Sequence, residues 1–275
     1  MASNTIFALL VIALGVYATG VLRALAARRR IEEPRPITWD VGQSLCVFGL
    51  FMIFSAVANV ASSLMVKRLG YDPGTPQAMA LSGILVYVIN LPTLLVLWRF
   101  AGGKQASGLA FGLGLPIGKS VKIAFACFAL YLPLQVVFPS VAETVWVRVL
   151  SLPPTHQVVL ELIMRAPVLP MLTMVFSAVV LAPVYEELIF RAFIQKGIEK
   201  TLGRWPAICV TAIIFAAVHG SPLVILKVLP FSIALSVAYD RSRSILANIL
   251  FHAAFNLTSL IAALAARQAG LDLLI

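Results

Sequence analysis

Two adjacent carboxylates, an arginine one helical turn further on, and two histidines in later apolar segments are the residues of this chain that could do chemistry. Glu186, Glu187 and Arg191 stand in APVYEELIFRAF (182–193), directly after residues 169–181, which carry no charge. An ionised side chain at the centre of a bilayer costs roughly 2.5–3.5 kcal/mol even on the lenient insertion scale, so such groups pair or face an internal cavity. Glu187 and Arg191 are four residues apart with the acid first, the favoured order for a helical ion pair. Glu186 lies about 100° further round the helix, unmatched by that arginine, and is the freer carboxylate, suited to act as a general base. The plain alternative is that the span ends at Tyr185 and EELIFR is a wetted turn.

Two later segments weigh against that alternative. FAAVH puts Phe215 and His219 one turn apart, and HAAFN does the same for His252 and Asn256. His219 and His252 are two of three histidines in the chain. A lone histidine in an apolar helix is more often a satisfied core group than a catalyst, but here both share the C-terminal half with the glutamates. If the chain turns near Gly203, Glu186 lies 17 residues before the turn and His219 lies 16 after it, which sets them at nearly one depth. Ser244 and Asn248 precede His252 on the same helical face and predict a polar stripe along a wet cavity. A carboxylate base, imidazoles and an amide donor make a hydrolytic set.

These residues need membrane helices to hold them. The chain has 275 residues, 61% hydrophobic and 12% charged, against roughly 25% charged in an ordinary soluble domain. The expected fold is all-α: a polytopic membrane bundle of about eight spans, near 4–22, 41–66, 78–98, 121–138, 168–190, 206–220, 222–239 and 243–266, with the chemistry in the last four. Spans six and seven are short, and Gly220, Ser221 and Pro222 leave little loop between them, which predicts a tilted or re-entrant pair. Met1 to Thr5 carries no basic residue, so the first span reads as an anchor, not a cleaved leader. Glu143, Arg148, Glu161 and Arg165, at near-helical spacing between spans, predict helices along the interface. Residues 1–165 and 166–275 form two parts of one structural unit, the second holding the site.

The charge balance follows topology. Of 21 Lys and Arg, 15 fall in the odd connections, 23–40, 99–122, 191–205 and 240–243, which places those on the cytoplasmic side and both termini outside. The net charge of +10 therefore needs no nucleic-acid partner, and no basic run is interleaved with aromatics. Cys46, Cys127 and Cys209 fall inside spans and read as small core residues. The glycine-rich 100–120 loop fails as a phosphate loop, because Leu113 stands where the first glycine is required.

EELIFR, FAAVH and HAAFN, in that order on successive spans, resemble the EExxxR, FxxxH and HxxxN motifs of the CPBP family of intramembrane proteases, which includes CAAX prenyl endopeptidases and lysostaphin-resistance-like (Abi) proteins. The resemblance implies an intramembrane endopeptidase in which Glu186 and His219 activate water, His252 and Asn256 stabilise the oxyanion, and Glu187 with Arg191 positions the site. It also implies a substrate that is a membrane protein or lipidated peptide, while the short loops and the alanine- and arginine-rich composition point to a bacterial cytoplasmic membrane. The family carries a metalloprotease label, and Glu186, His219 and His252 could supply the three protein ligands of a catalytic zinc; a metal-free glutamate mechanism uses the same residues and is preferred slightly.

Rival enzymes fit less well. There is no HExxH; a GxSG around Ser82 would need glycine at Ala80; Asp72 and Asp240 lie in loops with no GxGD. A transporter would show repeats or paired broken helices, and none is visible. The alternative from another class is a non-proteolytic immunity or scaffold protein using the same cavity for binding. Protease-accessibility mapping should find the 191–205 region on the cytoplasmic side; cleavage there from outside the cell would reverse the orientation.

Overall fold

The computed structural model describes residues 19–20, 37–100, 115–153, 162–163 and 165–268, and every regular element among them is helical. Six helices are long and apolar enough to cross a membrane: α1 (Val41–Arg68), α2 (Pro76–Arg99), α3 (Ile117–Val149), α4 (Val168–Leu202), α6 (Pro222–Ser242) and α7 (Ile245–Gln268). A shorter apolar helix, α5 (Arg204–Ala217), sits between α4 and α6. The polytopic helical bundle is thus as expected, while the first expected span, 4–22, the glycine-rich 101–114 stretch and Glu161 lie outside the described residues.

Local chemistry sets the helix boundaries. Asp40 caps α1 reciprocally with Gln43: its carboxylate accepts from the Gln43 amide at 3.0 Å, and Gln43 Oε1 accepts from the Asp40 amide at 3.0 Å. Thr75 caps α2 ahead of Pro76, where a missing N–H costs nothing. Gly203, at φ +85°, makes the α4–α5 turn, in the left-handed region open to glycine without penalty. Gly220, at φ +86°, and Pro222 at the first position of α6 make the next. With 14 residues, α5 measures about 21 Å at about 1.5 Å per residue, short of the roughly 30 Å hydrocarbon layer.

Two helices run further than the sequence pattern indicated. α3 continues to Val149, so SVAETVWVRVL prolongs a span instead of lying along the interface. Its Glu143 is 4% exposed and forms an ion pair with Lys227 of α6, which removes the charge that had marked an interface. α4 continues to Leu202, so most of the expected 191–205 connection is helix, and residues 189–198 are all buried. The two basic residues that resembled a loop are accounted for internally: Arg191 pairs with Glu187, and the Lys196 ammonium lies 5.7 Å from the Tyr239 ring centroid.

The C-terminal half of α4 is therefore the axis of the bundle. Trp39, just ahead of α1, stacks on Phe193 with centroids 4.8 Å apart and donates its indole N–H to the Phe193 carbonyl at 3.0 Å. Phe48 and Phe51 of α1 meet Phe190 edge-on. A second core joins α3, α6 and α7 through Tyr131, Phe231, Phe251 and Phe255, with Phe231 and Phe255 stacked at 3.7 Å. The opposite faces carry large exposed apolar groups such as Phe125, Val136 and Leu169, the surface a bilayer would cover.

Helix α1 approaches α4 most closely at Gly197, where a Cβ would lie 1.9 Å from Ser44 Oγ and 2.8 Å from the Asp40 carbonyl oxygen. Gly197→Ala should therefore lower thermal stability in detergent by an amount equivalent to about 1–3 kcal/mol, the usual cost of overpacking. Gly49→Ala on α1, with nothing within 4 Å of its Cβ, should be neutral or slightly stabilising. Equal melting temperatures for the two variants would refute the close packing.

Candidate active site

The backbone of α4 widens where the chemistry sits. After Pro183 the helix passes through a short α segment, Ala182–Glu186, into nine residues of π-type turns, Glu187–Gln195, having made an earlier widened turn over Ser177–Leu181. Such turns are rare and concentrate at functional sites. Tyr185 holds the entry to this stretch, donating its hydroxyl to the Tyr87 carbonyl at 2.6 Å, and Trp39 holds its far part at Phe193. EELIFR thus lies within a continuous helix, with Glu187 and residues 189–191 buried, which excludes the wetted-turn alternative.

Glu187 is the most saturated group in the site. Its side chain is 0% exposed, and both oxygens are engaged. Oε1 accepts from His252 Nδ1 at 2.9 Å. Oε2 accepts from Asn248 Nδ2 at 3.0 Å and lies 3.4 Å from Arg191 Nε. Because an ionised carboxylate only accepts, His252 carries its proton on Nδ1 and turns Nε2 the other way, to 3.9 Å from Glu186 Oε2. Arg191, also 0% exposed, donates from Nη2 to Ser232 Oγ at 3.3 Å and lies over the Phe215 ring, 4.4 Å from its centroid.

Glu186 contrasts with its neighbour. Its side chain is 24% exposed, and its Oε2, although buried, has no hydrogen-bond partner. Two consecutive carboxylates thus occupy opposite environments, one sealed and fully bonded, the other half-open and unsatisfied. That division is the physical basis for giving paired acids different roles.

Phe215 gathers the histidines. Its ring centroid is 5.0 Å from that of His219 and 5.9 Å from that of His252, while Phe231 reaches His252 from α6 at 5.3 Å. His219 follows the end of α5 and is exposed. Its Nδ1 lies 2.8 Å from the Phe215 carbonyl oxygen, so this nitrogen donates and Nε2 is left with a lone pair. Asn256 Nδ2 donates to the Ala178 carbonyl at 2.7 Å, tying α7 to the first widened turn of α4; the same nitrogen has a second N–H.

The structure therefore joins Glu186, Glu187, Arg191 and His252 directly, brings His219 in through Phe215, and anchors Asn256 to the wall of α4. The expected polar stripe on α7 is present, but its lower part is sealed: Ser244 and Asn248 are 0% and 1% exposed, Ser244 bonding to Ser120 of α3 at 2.9 Å. Asn248 acts on Glu187, a role its spacing from His252 hinted at without naming the partner. Ser232, the hydroxyl acceptor for Arg191, had no sequence signal, being one serine in an apolar run. Among the described residues no three His, Cys, Asp or Glu side chains are grouped to hold a metal ion. Glu186, His219 and His252 do not form such a set here; both imidazoles are bonded through Nδ1, which leaves each Nε2 towards the site.

Residues 167–258 match the family model described as type II CAAX prenyl endopeptidase Rce1-like. No curated protein and no solved structure matches the chain. The match begins at the start of α4, ends inside α7, and encloses EELIFR, FAAVH and HAAFN together with the Glu187 hub. Over residues 167–258 the chain is similar to type II CAAX prenyl endopeptidases of the Rce1-like kind, in agreement with the CPBP resemblance of its three motifs.

Proposed function

We propose that this protein is an intramembrane endopeptidase that hydrolyses a peptide bond of a membrane protein or lipidated peptide, with Glu186 as the base. The observation that carries this reading is the unsatisfied Glu186 Oε2 at 3.9 Å from His252 Nε2. That gap is too long for a hydrogen bond and short enough for one water molecule to touch both groups.

In the proposed reaction Glu186, assisted by His219 Nε2, takes a proton from that water as its oxygen adds to the carbonyl carbon. The carbonyl π electrons move to oxygen, and donors must then stand where this negative charge develops. His252 supplies one through Nε2 when that nitrogen carries a proton; the second N–H of Asn256 supplies another. Collapse of the intermediate breaks the C–N bond, and the amine leaves with the proton held by Glu186. Arg191 takes no proton; it keeps Glu187 ionised and Phe215 in place. These steps use side chains alone.

The half-exposed Glu186 and exposed His219 mark the side from which substrate would enter. The opposite end of α4 to α6 carries Glu199, Arg204, Asp240 and Arg243 joined by ion pairs. With the positive-inside bias this supports a cytoplasmic Gly203 turn, and hence outward termini in a bacterial cytoplasmic membrane.

Comparison of new protein termini in membranes from cells carrying the wild type, Glu186→Ala or His219→Ala at matched expression should reveal termini unique to the wild type. Identical profiles, with any wild-type phenotype surviving in both variants, would favour the immunity or scaffold reading instead. On an identified substrate, Glu186→Gln should cost roughly 10²–10⁴ in rate, the range for a positioned base, and leave the melting temperature unchanged. Glu187→Gln should also destabilise the fold, by about 3–5 kcal/mol, because it leaves Arg191 buried without its counter-charge. Swapped outcomes would reverse the two assignments.

A further inference from the structure

Below the site, α4 and α6 present polar residues to each other at successive turns. Arg191, Gln195 and Glu199 follow at intervals of four on α4; Ser232, Ser236 and Asp240 do so on α6. Each level is in contact or linked by one more residue. Arg191 Nη2 donates to Ser232 Oγ at 3.3 Å, and Gln195 Nε2 donates to the Ser236 carbonyl at 2.9 Å. Glu199 and Asp240 are joined through Arg243, at 2.7 Å and 3.4 Å. Helix α5, folded back on α4 by the Gly203 turn, adds Phe215 beside Arg191 and, one turn nearer Gly203, the buried Thr211, which follows that turn by eight residues as Gln195 precedes it by eight.

This seam is almost sealed from the lipid side, yet its middle is not satisfied. Arg191, Thr211, Ser232 and Ser236 are 0% exposed and Gln195 1%. Within two helical turns Arg191 Nη1, Gln195 Oε1, Thr211 Oγ1 and Ser236 Oγ have no hydrogen-bond partner. Buried polar groups in native proteins are nearly always satisfied by protein or ordered water, and an internal water needs two to four polar partners. The four groups offer such a set: one fixed donor, one fixed acceptor and two hydroxyls that do either. The seam reaches the surface at its ionic end, where the Arg204 side chain, paired with Asp240, is 24% exposed.

We propose that the seam binds a short file of water molecules running from the Gly203 end of the bundle to the back of the Glu187–Arg191 pair, a hydration path distinct from the mouth at Glu186 and His219. Hydrolysis consumes one water per bond broken, and an apolar substrate seated in the mouth displaces water from that side. The seam then resupplies the site from behind. The supply role rests on the hydrolytic reading above; the hydration itself does not.

Hydroxyl-radical labelling by X-ray radiolysis of the purified full-length protein in detergent and H2¹⁸O tests it without any substrate. Phe215, over which Arg191 lies, and Tyr239, next in the chain to Asp240, mark the two ends of the seam at 1% and 0% exposed, and Phe193, 0% exposed, is stacked on Trp39. Phe215 and Tyr239 should take up ¹⁸O several-fold faster than Phe193, and the Thr211→Val/Ser236→Ala variant should bring both close to the Phe193 rate. Rates as low as that of Phe193 in the wild type, or rates unchanged in the variant, would overturn the proposal. Thr211→Val alone, which preserves shape, gives an independent reading: a dry seam would gain melting temperature on losing an unpaired hydroxyl, whereas a hydrated one would not. If labelling succeeds and the terminus comparison fails, the hydration path stands and the proteolytic role falls.

Discussion

One fully buried ion pair organises the centre of this bundle. Glu187 and Arg191 are both fully buried, and two such charges are tolerable only when their remaining donors and acceptors are met by fixed dipoles. The rest of the core supplies most of these: Asn248 and His252 from α7, Ser232 from α6 and the face of Phe215 from α5, with Arg191 Nη1 left towards the seam. Three helices therefore converge on one turn of α4, and their relative rotation is fixed by polar geometry where the surrounding apolar packing alone would allow sliding. In a bilayer this matters more than in water, since lipid tails are as apolar as the helix faces and give little force for association.

The same pair divides labour between adjacent carboxylates. Consecutive residues on a helix point about 100° apart, so a structural requirement at Glu187 turns Glu186 towards the less crowded side. A sealed acid beside a half-open one follows from this spacing once the arginine is placed. His252 bridges the two environments, bonded through Nδ1 to the saturated acid and facing the other with Nε2. The histidine thereby couples a rigid interior to a group exposed enough to meet substrate.

Much of this was legible before any coordinates. Long charge-free runs specified the membrane helices, and the Glu187–Arg191 spacing specified the pair, because both are short-range patterns. The residue count about Gly203 that set Glu186 and His219 at one level is consistent with the meeting of Arg191 and Phe215, each 12 residues from that turn. What misled was charge taken as a sign of water: Arg191, Lys196 and Glu143 were read as loop or interface residues, but Arg191 and Glu143 are paired with Glu187 and Lys227, and Lys196 is buried with its ammonium over the Tyr239 ring. Ser232 and the Trp39 bond to Phe193 lay beyond reach for the same reason. A lone serine or tryptophan acquires its meaning only from what the fold brings against it, 41 residues away for Arg191 and Ser232 and 154 for Trp39 and Phe193.

The shortness of α5 also acts on the membrane. A helix of 14 residues is several ångströms too short for the hydrocarbon layer, and the strain of such a mismatch is relieved by thinning the adjacent leaflet. A leaflet thinned there would bring headgroups at the Gly220 turn close to His219. On the proposed reading, an integral substrate arriving along the bilayer would meet a dimple where its backbone can be wetted without leaving the membrane.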